Sequence, residues 1–155
     1  MRKMYRLPIA SVMTLYLAGP SYALEAGRYE NYVRHIIKST VNGRNVEEDL
    51  FDKQLLSYWN KIIKKHKCFT VQGLDAELSM HQDSNVHNII IHTPTATKIG
   101  YKVRATYIVS GDKIDKDFYL VEQSNSLKIY DVCDHPSVVG DQCYRFIIKK
   151  GICMD

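Results

Sequence analysis

The sequence lacks the short motifs that usually mark a metal centre or an enzyme. It has no C-x-x-C pair, no H-x-x-x-H pair, no glycine-rich phosphate loop and no G-x-S-x-G nucleophile turn. These absences disfavour a zinc site, a nucleotide-binding loop and a serine hydrolase. We therefore expect no metal, no cofactor and no catalytic residues, and we interpret the chain first as a binding protein.

Long apolar runs and an excess of one charge are lacking as well. No segment after the first 23 residues approaches the roughly 18 apolar residues of a transmembrane helix, so we expect no stable membrane span. Of the 21 Lys and Arg residues, Arg2, Lys3 and Arg6 lie at the N-terminus, so the remainder of the chain has 18 basic residues against 17 acidic ones. The remainder has no basic stripe, which predicts that it does not bind nucleic acid.

The N-terminal segment has the composition of a secretory signal peptide. Its three basic residues precede an uncharged stretch, residues 7–22, and the small residues Ser21 and Ala23 occupy the positions that signal peptidase reads. We expect cleavage after Ala23. Residues 1–23 are then the signal peptide, residues 24–155 form a single domain, and the product is exported to the bacterial periplasm.

The cysteines are few and even in number, which in an exported protein predicts two disulfides. Cys68, Cys133, Cys143 and Cys153 allow three pairings. The segment between Cys143 and Cys153 separates them by about 15 Å as a helix or about 33 Å as a strand, whereas a disulfide needs Cα atoms within about 7 Å. We expect Cys133–Cys143, across an easily turned segment, and Cys68–Cys153.

The hydrophobic periodicity predicts an α+β domain with helices first and an antiparallel sheet after them. The predicted helices cover residues 28–41 and a segment that begins at Asn45 and ends near His66. The predicted strands cover residues 68–71, 86–93, 100–110, 115–123 and 127–133, with turns at Gly111-Asp112-Lys113 and Ser124-Asn125-Ser126. The tail, residues 142–150, fits either a strand or a short helix.

Three short stretches add a resemblance to this outline. They are Leu50-Phe51-Asp52-Lys53-Gln54-Leu55, Leu74-Asp75-Ala76-Glu77 with Gln82-Asp83 behind it, and Tyr119-Leu120-Val121 leading to residues 127–132. Together they resemble a bacterial periplasmic subfamily, of unknown function, within the nuclear-transport-factor-2-like (cystatin-like cone) superfamily. Members usually carry a tryptophan where this chain has Leu127. The resemblance implies N-terminal helices packed on a curved, cone-shaped antiparallel sheet.

Some members of this superfamily are enzymes that place an Asp or a His in the cone as a general base. The corresponding candidates here are Asp131, His35 and His92, with Asp131 expected on the same strand face as Ile129. We favour structural roles for all three. A calcium site at Asp75, Glu77 and Asp83 lacks the EF-hand spacing, so a solvated polar loop is the preferred interpretation.

Tyrosine is abundant, with 11 residues in the chain, and tyrosine is enriched at interfaces. The candidate residues for binding a partner or a ligand are Tyr101, Val103, Tyr107, Phe118, Tyr119, Tyr130 and Asp131. We predict an exported, noncatalytic binding protein whose partner is a toxin or another envelope protein, most concretely an immunity-type inhibitor of a toxin that acts in the periplasm.

Two other functions are kept as alternatives. A carrier of a lipid or another small apolar ligand requires a deep pocket lined by residues such as Val103, Ala105, Tyr107 and Phe118. A small isomerase or hydratase requires a buried Asp or His at the mouth of the cone.

Both the signal peptide and the disulfides are open to one direct measurement. We expect native protein to begin at Leu24 and to react with thiol reagent only after reduction, because all four cysteines are then paired. N-terminal sequencing and thiol titration check this. Material that begins at Met1 and reacts with four equivalents of reagent contradicts export and disulfides together.

Overall fold

The computed structural model describes residues 20–41, 50–66, 85–136 and 143–150, and these residues confirm the α+β class. The described elements, in chain order, are α1 (Pro20–Val41), α2 (Lys53–His66), β1 (Val86–Ile91), β2 (Thr95–Ala96), β3 (Tyr101–Val109), β4 (Asp112–Gln123), β5 (Ser126–Asp134) and α3 (Tyr144–Lys150). The predicted strand at residues 68–71, the acidic loop at residues 75–83 and the Cys68–Cys153 pair lie outside the described residues.

The strands form one antiparallel five-stranded sheet in the order β1-β3-β4-β5, with β2 also paired to β3. The short strand β2 continues the edge that β1 begins, because the amide of His92 donates to the carbonyl of Arg104 between the two pairings. Pro94 lacks an amide hydrogen and lies in this interruption. The predicted strand was expected to end before Pro94. In the structure, β2 continues the pairing with β3 beyond this proline.

The edge strand β1 is irregular. Its register against β3 shifts between His87 and Ile90, and Asn88 within this bulge has a φ of 54°. Asparagine tolerates this left-handed conformation better than most residues. The guanidinium of Arg34 on α1 donates to the carbonyl oxygen of Ile89 at 3.1 Å, so a helix side chain occupies part of this outer edge.

Two tight turns set the register of the long strands. Ser110 and Gly111 join β3 to β4 with φ values of 51° and 94°, and Ser124 and Asn125 join β4 to β5 with φ values of 53° and 61°. Two-residue loops with positive φ at both positions match the twist of antiparallel strands. The first turn precedes the expected Gly111-Asp112-Lys113, so Asp112 pairs with Val109 and β4 begins three residues earlier than predicted.

The core lies on one face of the sheet. Along β3, Val103, Ala105 and Tyr107 have no exposed surface and alternate with partly exposed residues. The buried residues of α1 and α2 belong to the same hydrophobic cluster as those of the sheet. They are Tyr29, Val33, Ile36, Ile37 and Leu55.

The helix boundaries differ in part from those predicted. Helix α1 begins at Pro20 rather than residue 28, and it ends at Val41 as expected. Helix α2 begins at Lys53, because the Asp52 carboxylate accepts a hydrogen bond from the amide of Leu55 and so caps the helix N-terminus. The predicted helix is therefore not continuous through Asp52, and its expected start at Asn45 lies outside the described residues. Among the described helices, none combines the length and hydropathy that a membrane crossing requires.

The C-terminal segment is tied to the sheet covalently. Cys133 on β5 and Cys143 form a disulfide with Cα atoms 4.0 Å apart, which confirms this predicted pair. Tyr144–Lys150 is helical, which settles the tail in favour of a helix. Tyr144 and Ile148 enter the hydrophobic core, so α3 is part of the packed domain.

The turn before β3 generates a stability prediction. Gly100 has a φ of 151°, and a Cβ built there would lie 2.1 Å from the backbone oxygen of Leu120. We expect Gly100→Ala to lower the free energy of unfolding by at least about 2 kcal/mol, because backbone atoms of two paired strands must move apart. Urea denaturation measures the change.

Gly27→Ala is the matched control, since a Cβ on this α1 residue meets no atom within 4 Å. It is expected to be neutral or stabilising by up to about 1 kcal/mol, because alanine favours a helix over glycine. Equal effects of the two substitutions contradict the proposed close approach at Gly100.

Candidate interaction surface

The side of the sheet that faces away from the core carries an ordered set of polar side chains. Lys102, Arg104 and Thr106 alternate with the buried residues of β3, and their partners across β4 are Tyr119, Asp117 and Asp115. These six residues are called the outer face below. Because directly paired residues lie on the same side of a sheet, the three cross-strand pairs form adjacent rows.

Asp117 lies at the centre of the outer face. Its carboxylate contacts Nε of Arg104 at 3.1 Å, Nδ1 of His135 at 3.0 Å and, more weakly, Nζ of Lys102 at 3.8 Å. The Asp117 side chain is 5 % exposed, whereas the three basic side chains are between 27 % and 35 % exposed. One buried carboxylate therefore holds three partly exposed basic groups in place.

A second carboxylate anchors the next row. The hydroxyl of Thr106 donates to Asp115, whose other oxygen contacts Nζ of Lys113 at 2.8 Å. These hydrogen bonds from Lys113 and Thr106 hold the pKa of the Asp115 carboxyl below its ordinary value. Nε2 of His92 lies 3.4 Å from the same threonine hydroxyl, which extends the polar row to the edge of the sheet.

Asp131 faces the same side of the sheet as Tyr119, which corrects the expectation that it shares a face with Ile129. The register of β4 and β5 shifts, so Ile129 pairs with the buried Leu120 and Asp131 pairs with Tyr119. Neighbouring residues of β4 point to opposite faces, and their partners do the same. The bulge places Tyr130 opposite no residue of β4.

The Asp131 carboxyl is held by backbone groups and is largely shielded from water. Oδ1 accepts hydrogen bonds from the amide of Val132 at 2.9 Å and from the amide of Arg145 at 2.8 Å. Burial raises the pKa of Asp131 to about 6, although both hydrogen bonds and the charge of Arg145 oppose this rise. Since Arg145 is the second residue of α3, Asp131 caps this helix from the sheet.

Arg145 connects three parts of the chain. Its guanidinium forms a 2.6 Å ion pair with Asp52 before α2, and it donates to the side-chain oxygen of Gln54 and to the carbonyl of Tyr130. It also lies 3.7 Å from the ring centroid of Tyr130, which is a cation–π contact. The Arg145 side chain is 12 % exposed, so these contacts are largely shielded from solvent screening.

The same residues cover the free edge of β5. Phe51 forms a parallel bridge with Ile129, and the amide of Asp52 donates to the carbonyl of Ile129. The guanidinium of Arg145 binds the next carbonyl, that of Tyr130, and Cys143 forms an antiparallel bridge with Cys133. Successive backbone groups along this edge are thus satisfied by two separate segments, residues 51–52 and residues 143–145.

The structure separates the seven predicted binding residues into two sets. Val103, Tyr107 and Phe118 are in the core with no exposed surface, whereas Tyr101, Tyr119, Tyr130 and Asp131 are partly exposed. Tyr101 stacks on Tyr29 of α1, with ring centroids 4.2 Å apart. Binding by any of the seven stays a prediction, and a partner approaching from solvent meets only the second set.

The candidate general bases do not converge on one site. His35 on α1 and His92 beyond β1 are exposed, whereas Asp131 is shielded beside α3. A shallow groove of about 400 Å³ lies elsewhere, along α2, and is lined by Lys53, Leu56, Ser57, Asn60 and Lys61.

Sequence reasoning missed three residues that organise the surface, namely Asp117, His135 and Arg145. The signal for Asp117 was present, because a two-residue turn at Ser110 and Gly111 places it opposite Arg104. The contacts of His135 and Arg145 bring together residues 18 and up to 93 positions apart in the sequence. No local motif in the chain encodes contacts over such separations.

The described residues include one group with the spacing of potential metal ligands. A carboxylate oxygen of Asp131 and the sulfurs of Cys133 and Cys143 all lie within 4.8 Å of one another. The two sulfurs are bonded to each other. Thiolate, not disulfide, sulfur is the usual metal ligand, so this group does not fit a metal in its oxidised state.

The chain was compared with protein-family models, characterised proteins and solved structures, and no match was found in any of the three comparisons.

The raised pKa of Asp131 generates a prediction for stability against pH. The folded-state pKa of about 6 lies above the ordinary 3.8, so the native state binds the proton more tightly than the unfolded state. The contribution of Asp131 to stability is therefore fully present below about pH 4 and is lost as the pH rises through about 6, by at most about 3 kcal/mol. We expect Asp131→Asn, whose amide oxygen can keep both hydrogen bonds, to be more stable than wild type at pH 7 and equal to it at pH 4.

Urea denaturation at several pH values measures this difference. Asp112→Asn is the control, since Asp112 is an exposed carboxylate in the same sheet and its substitution is expected to change stability little at either pH. An Asp131→Asn protein that is less stable than wild type at pH 7 shows that the charge stabilises the fold, contrary to the argument from burial.

Proposed function

We propose that this protein is a noncatalytic binding protein that presents the outer face of its sheet to an acidic surface of a protein partner. In this proposal Lys102 and Arg104 of the outer face, with His135 beside them on Asp117, contact acidic groups of the partner, and Tyr119 supplies apolar area with a hydrogen-bonding tip. Arginine and tyrosine are the residue types that contribute most at protein interfaces.

The single observation that supports this choice is the shared carboxylate of Asp117. It balances one positive charge, yet two permanently basic side chains and one histidine contact it. Around Asp117, two basic side chains share one carboxylate, so this part of the outer face has a local excess of positive charge, although Asp115 balances it over the six residues together. A carboxylate from a partner would find donors already oriented, and electrostatic attraction of this kind gives specificity and rapid association.

The order of the outer face favours binding for a second reason. Long basic side chains normally lose about 0.5–1.5 kcal/mol each when an interface immobilises them. Here, Arg104 is already held by an ion pair with a buried carboxylate, and Thr106 is held by Asp115. Much of this ordering cost is met on folding, so less of it opposes association.

The most concrete form of the proposal is an immunity-type inhibitor that blocks the site of a toxin in the bacterial periplasm. The N-terminal segment supports export, and the Cys133–Cys143 disulfide fits an oxidising compartment. The resemblance to the nuclear-transport-factor-2-like superfamily, with its curved cone of helices on a sheet, belongs to the same proposal. In this form the outer face of the sheet is the inhibitory surface.

The two alternatives have less support from the described residues. Val103, Ala105, Tyr107 and Phe118, the expected lining of a carrier pocket, have no exposed surface, and a cavity that admitted water beside them would expose part of them. An isomerase or hydratase would use Asp131, which instead caps α3 through its contact with Arg145. We therefore propose neither as a second function.

Substitutions on the outer face test the proposal. Partners are recovered by cross-linking in intact cells, identified by mass spectrometry and purified, with the product of any neighbouring toxin gene included. We expect Lys102→Gln combined with Tyr119→Ala to weaken the affinity for that partner about tenfold or more, as expected for interface residues of these types. Isothermal titration calorimetry at two salt concentrations measures the affinity, which should fall with salt.

Lys53→Gln combined with Lys61→Gln is the matched control, because it removes basic charge from the groove on α2 and leaves the outer face intact. Thermal unfolding verifies that each protein is folded. Affinity that falls only in the control variant assigns binding to α2 and contradicts the proposal. A small apolar ligand retained in native mass spectrometry, with no protein partner recovered, favours the carrier instead.

A further inference from the structure

The Cys133–Cys143 disulfide is unequally accessible at its two ends. Cys133 on β5 is 2 % exposed, whereas Cys143, just before α3, is partly exposed. A thiolate that attacks a disulfide bonds to one sulfur and expels the other as a thiolate. Access favours attack on Sγ of Cys143, so Sγ of Cys133 is the leaving sulfur.

The leaving thiolate would form where a negative charge is poorly solvated. Burial in apolar surroundings raises the pKa of a thiol and disfavours its ionised form. Cys133 is 2 % exposed, pairs with Asp117 of β4 and forms a bridge with Cys143, so little water reaches it. A proton donor close to this sulfur therefore lowers the barrier to cleavage of the bond.

Asp131 lies in the position of such a donor. One of its carboxylate oxygens is within 4.8 Å of both sulfurs, a gap that one bridging water or a small movement of the released sulfur closes. Its two backbone hydrogen bonds both go to Oδ1, which leaves Oδ2 to carry a proton. The groups facing it are Arg145 from α3, Asp52 from the start of α2 and Tyr119 from β4.

We propose that Cys133–Cys143 is a thiol–disulfide exchange site for dithiols, in which Asp131 donates the proton to the departing sulfur of Cys133. The attacking thiolate forms a mixed disulfide with Cys143, and the S–S bond to Cys133 breaks. The expelled thiolate takes the proton of Asp131 and leaves a carboxylate beside Arg145. The second thiol of the dithiol, ionised by loss of its proton to water, then displaces Cys143 as a thiolate, and the dithiol leaves as its own disulfide. The Cys143 thiolate and the Asp131 carboxylate each regain a proton from water.

Reduction would change how α3 is attached. In the oxidised protein the helix is held covalently through Cys143 and by the contacts of Arg145 with Asp52 and Tyr130. In the reduced protein only the noncovalent contacts and the packing of Tyr144 and Ile148 remain. The site thus couples the redox state of the surroundings to the anchoring of the C-terminal helix.

The pKa of Asp131, raised to about 6 by burial, is consistent with this role, because the carboxyl keeps its proton in mildly acidic solution. If ionisation of Asp131 affects only the stability of the fold, the rate of reduction changes with pH in the opposite direction. Ionisation of Asp131 destabilises the fold, so reduction through local opening would become faster as the pH rises. Proton donation instead makes reduction faster as the pH falls.

The experiment measures the rate of reduction of the full-length oxidised protein by dithiothreitol between pH 5 and pH 8. Samples are quenched with acid, alkylated and analysed by mass spectrometry for Cys133 and Cys143. Each rate constant is divided by the concentration of reagent thiolate. For wild type we expect this normalised rate to be about tenfold or more higher at pH 5 than at pH 8, with the change centred near about pH 6.

Asp131→Asn is expected to give a normalised rate that does not change with pH, and Asp112→Asn is expected to follow wild type. A wild-type rate that is flat or rises with pH overturns the proposal without reference to any variant. Parallel profiles for wild type and Asp131→Asn overturn it as well. Urea denaturation of each oxidised protein separates changes in rate from changes in stability.

Discussion

The register of the β3–β4 hairpin is the constraint on which the core and the outer face both depend. The turn at Ser110 and Gly111 pairs Val109 with Asp112, and every later pair follows from that one. A slip of one residue would turn each side chain of one strand to the opposite face. The burial of Phe118 in the core and the contact between Arg104 and Asp117 are therefore two results of the same turn.

The C-terminal helix depends on a second, smaller set of interactions. Asp131 caps α3, and Arg145 binds both Asp52 and the carbonyl of Tyr130. The disulfide joins Cys143, the residue before α3, to β5. Because the Arg145 side chain is only 12 % exposed, its ion pair with Asp52 is less screened by solvent than a surface pair, and loss of either partner would leave a shielded charge unpaired. The burial that strengthens this pair also disfavours the charge of Asp131 beside it.

Patterns of short range made much of the fold predictable. The hydrophobic periodicity identified the strand Tyr101–Val109, and the easily turned segment between Cys133 and Cys143 identified the disulfide. Helix starts were predicted less well. Asp52 was placed within a helix because apolar residues recur around it, whereas the capping hydrogen bond to Leu55 defines the actual boundary.

The candidate site was less predictable, for two physical reasons. The bulge that moves Asp131 to the outer face inserts one residue into β5, and strict period-two alternation does not foresee such an insertion. The three basic partners of Asp117 come from β3 and from the segment after β5, so their convergence depends on tertiary structure. With the turn placed correctly, the pair of Arg104 and Asp117 would have followed, but His135 would not.

The covered margins of the sheet have a consequence for behaviour at high concentration. Unpaired backbone groups on an edge strand are a template for joining another chain, which is a common route to aggregation. At β5 the bridges of Phe51 and Cys143 and the guanidinium of Arg145 occupy those groups. At β1 the bulge at Asn88 and the bond from Arg34 to Ile89 interrupt the regular ladder. Edge-to-edge polymerisation through the described strands is thereby disfavoured at both sides of the sheet.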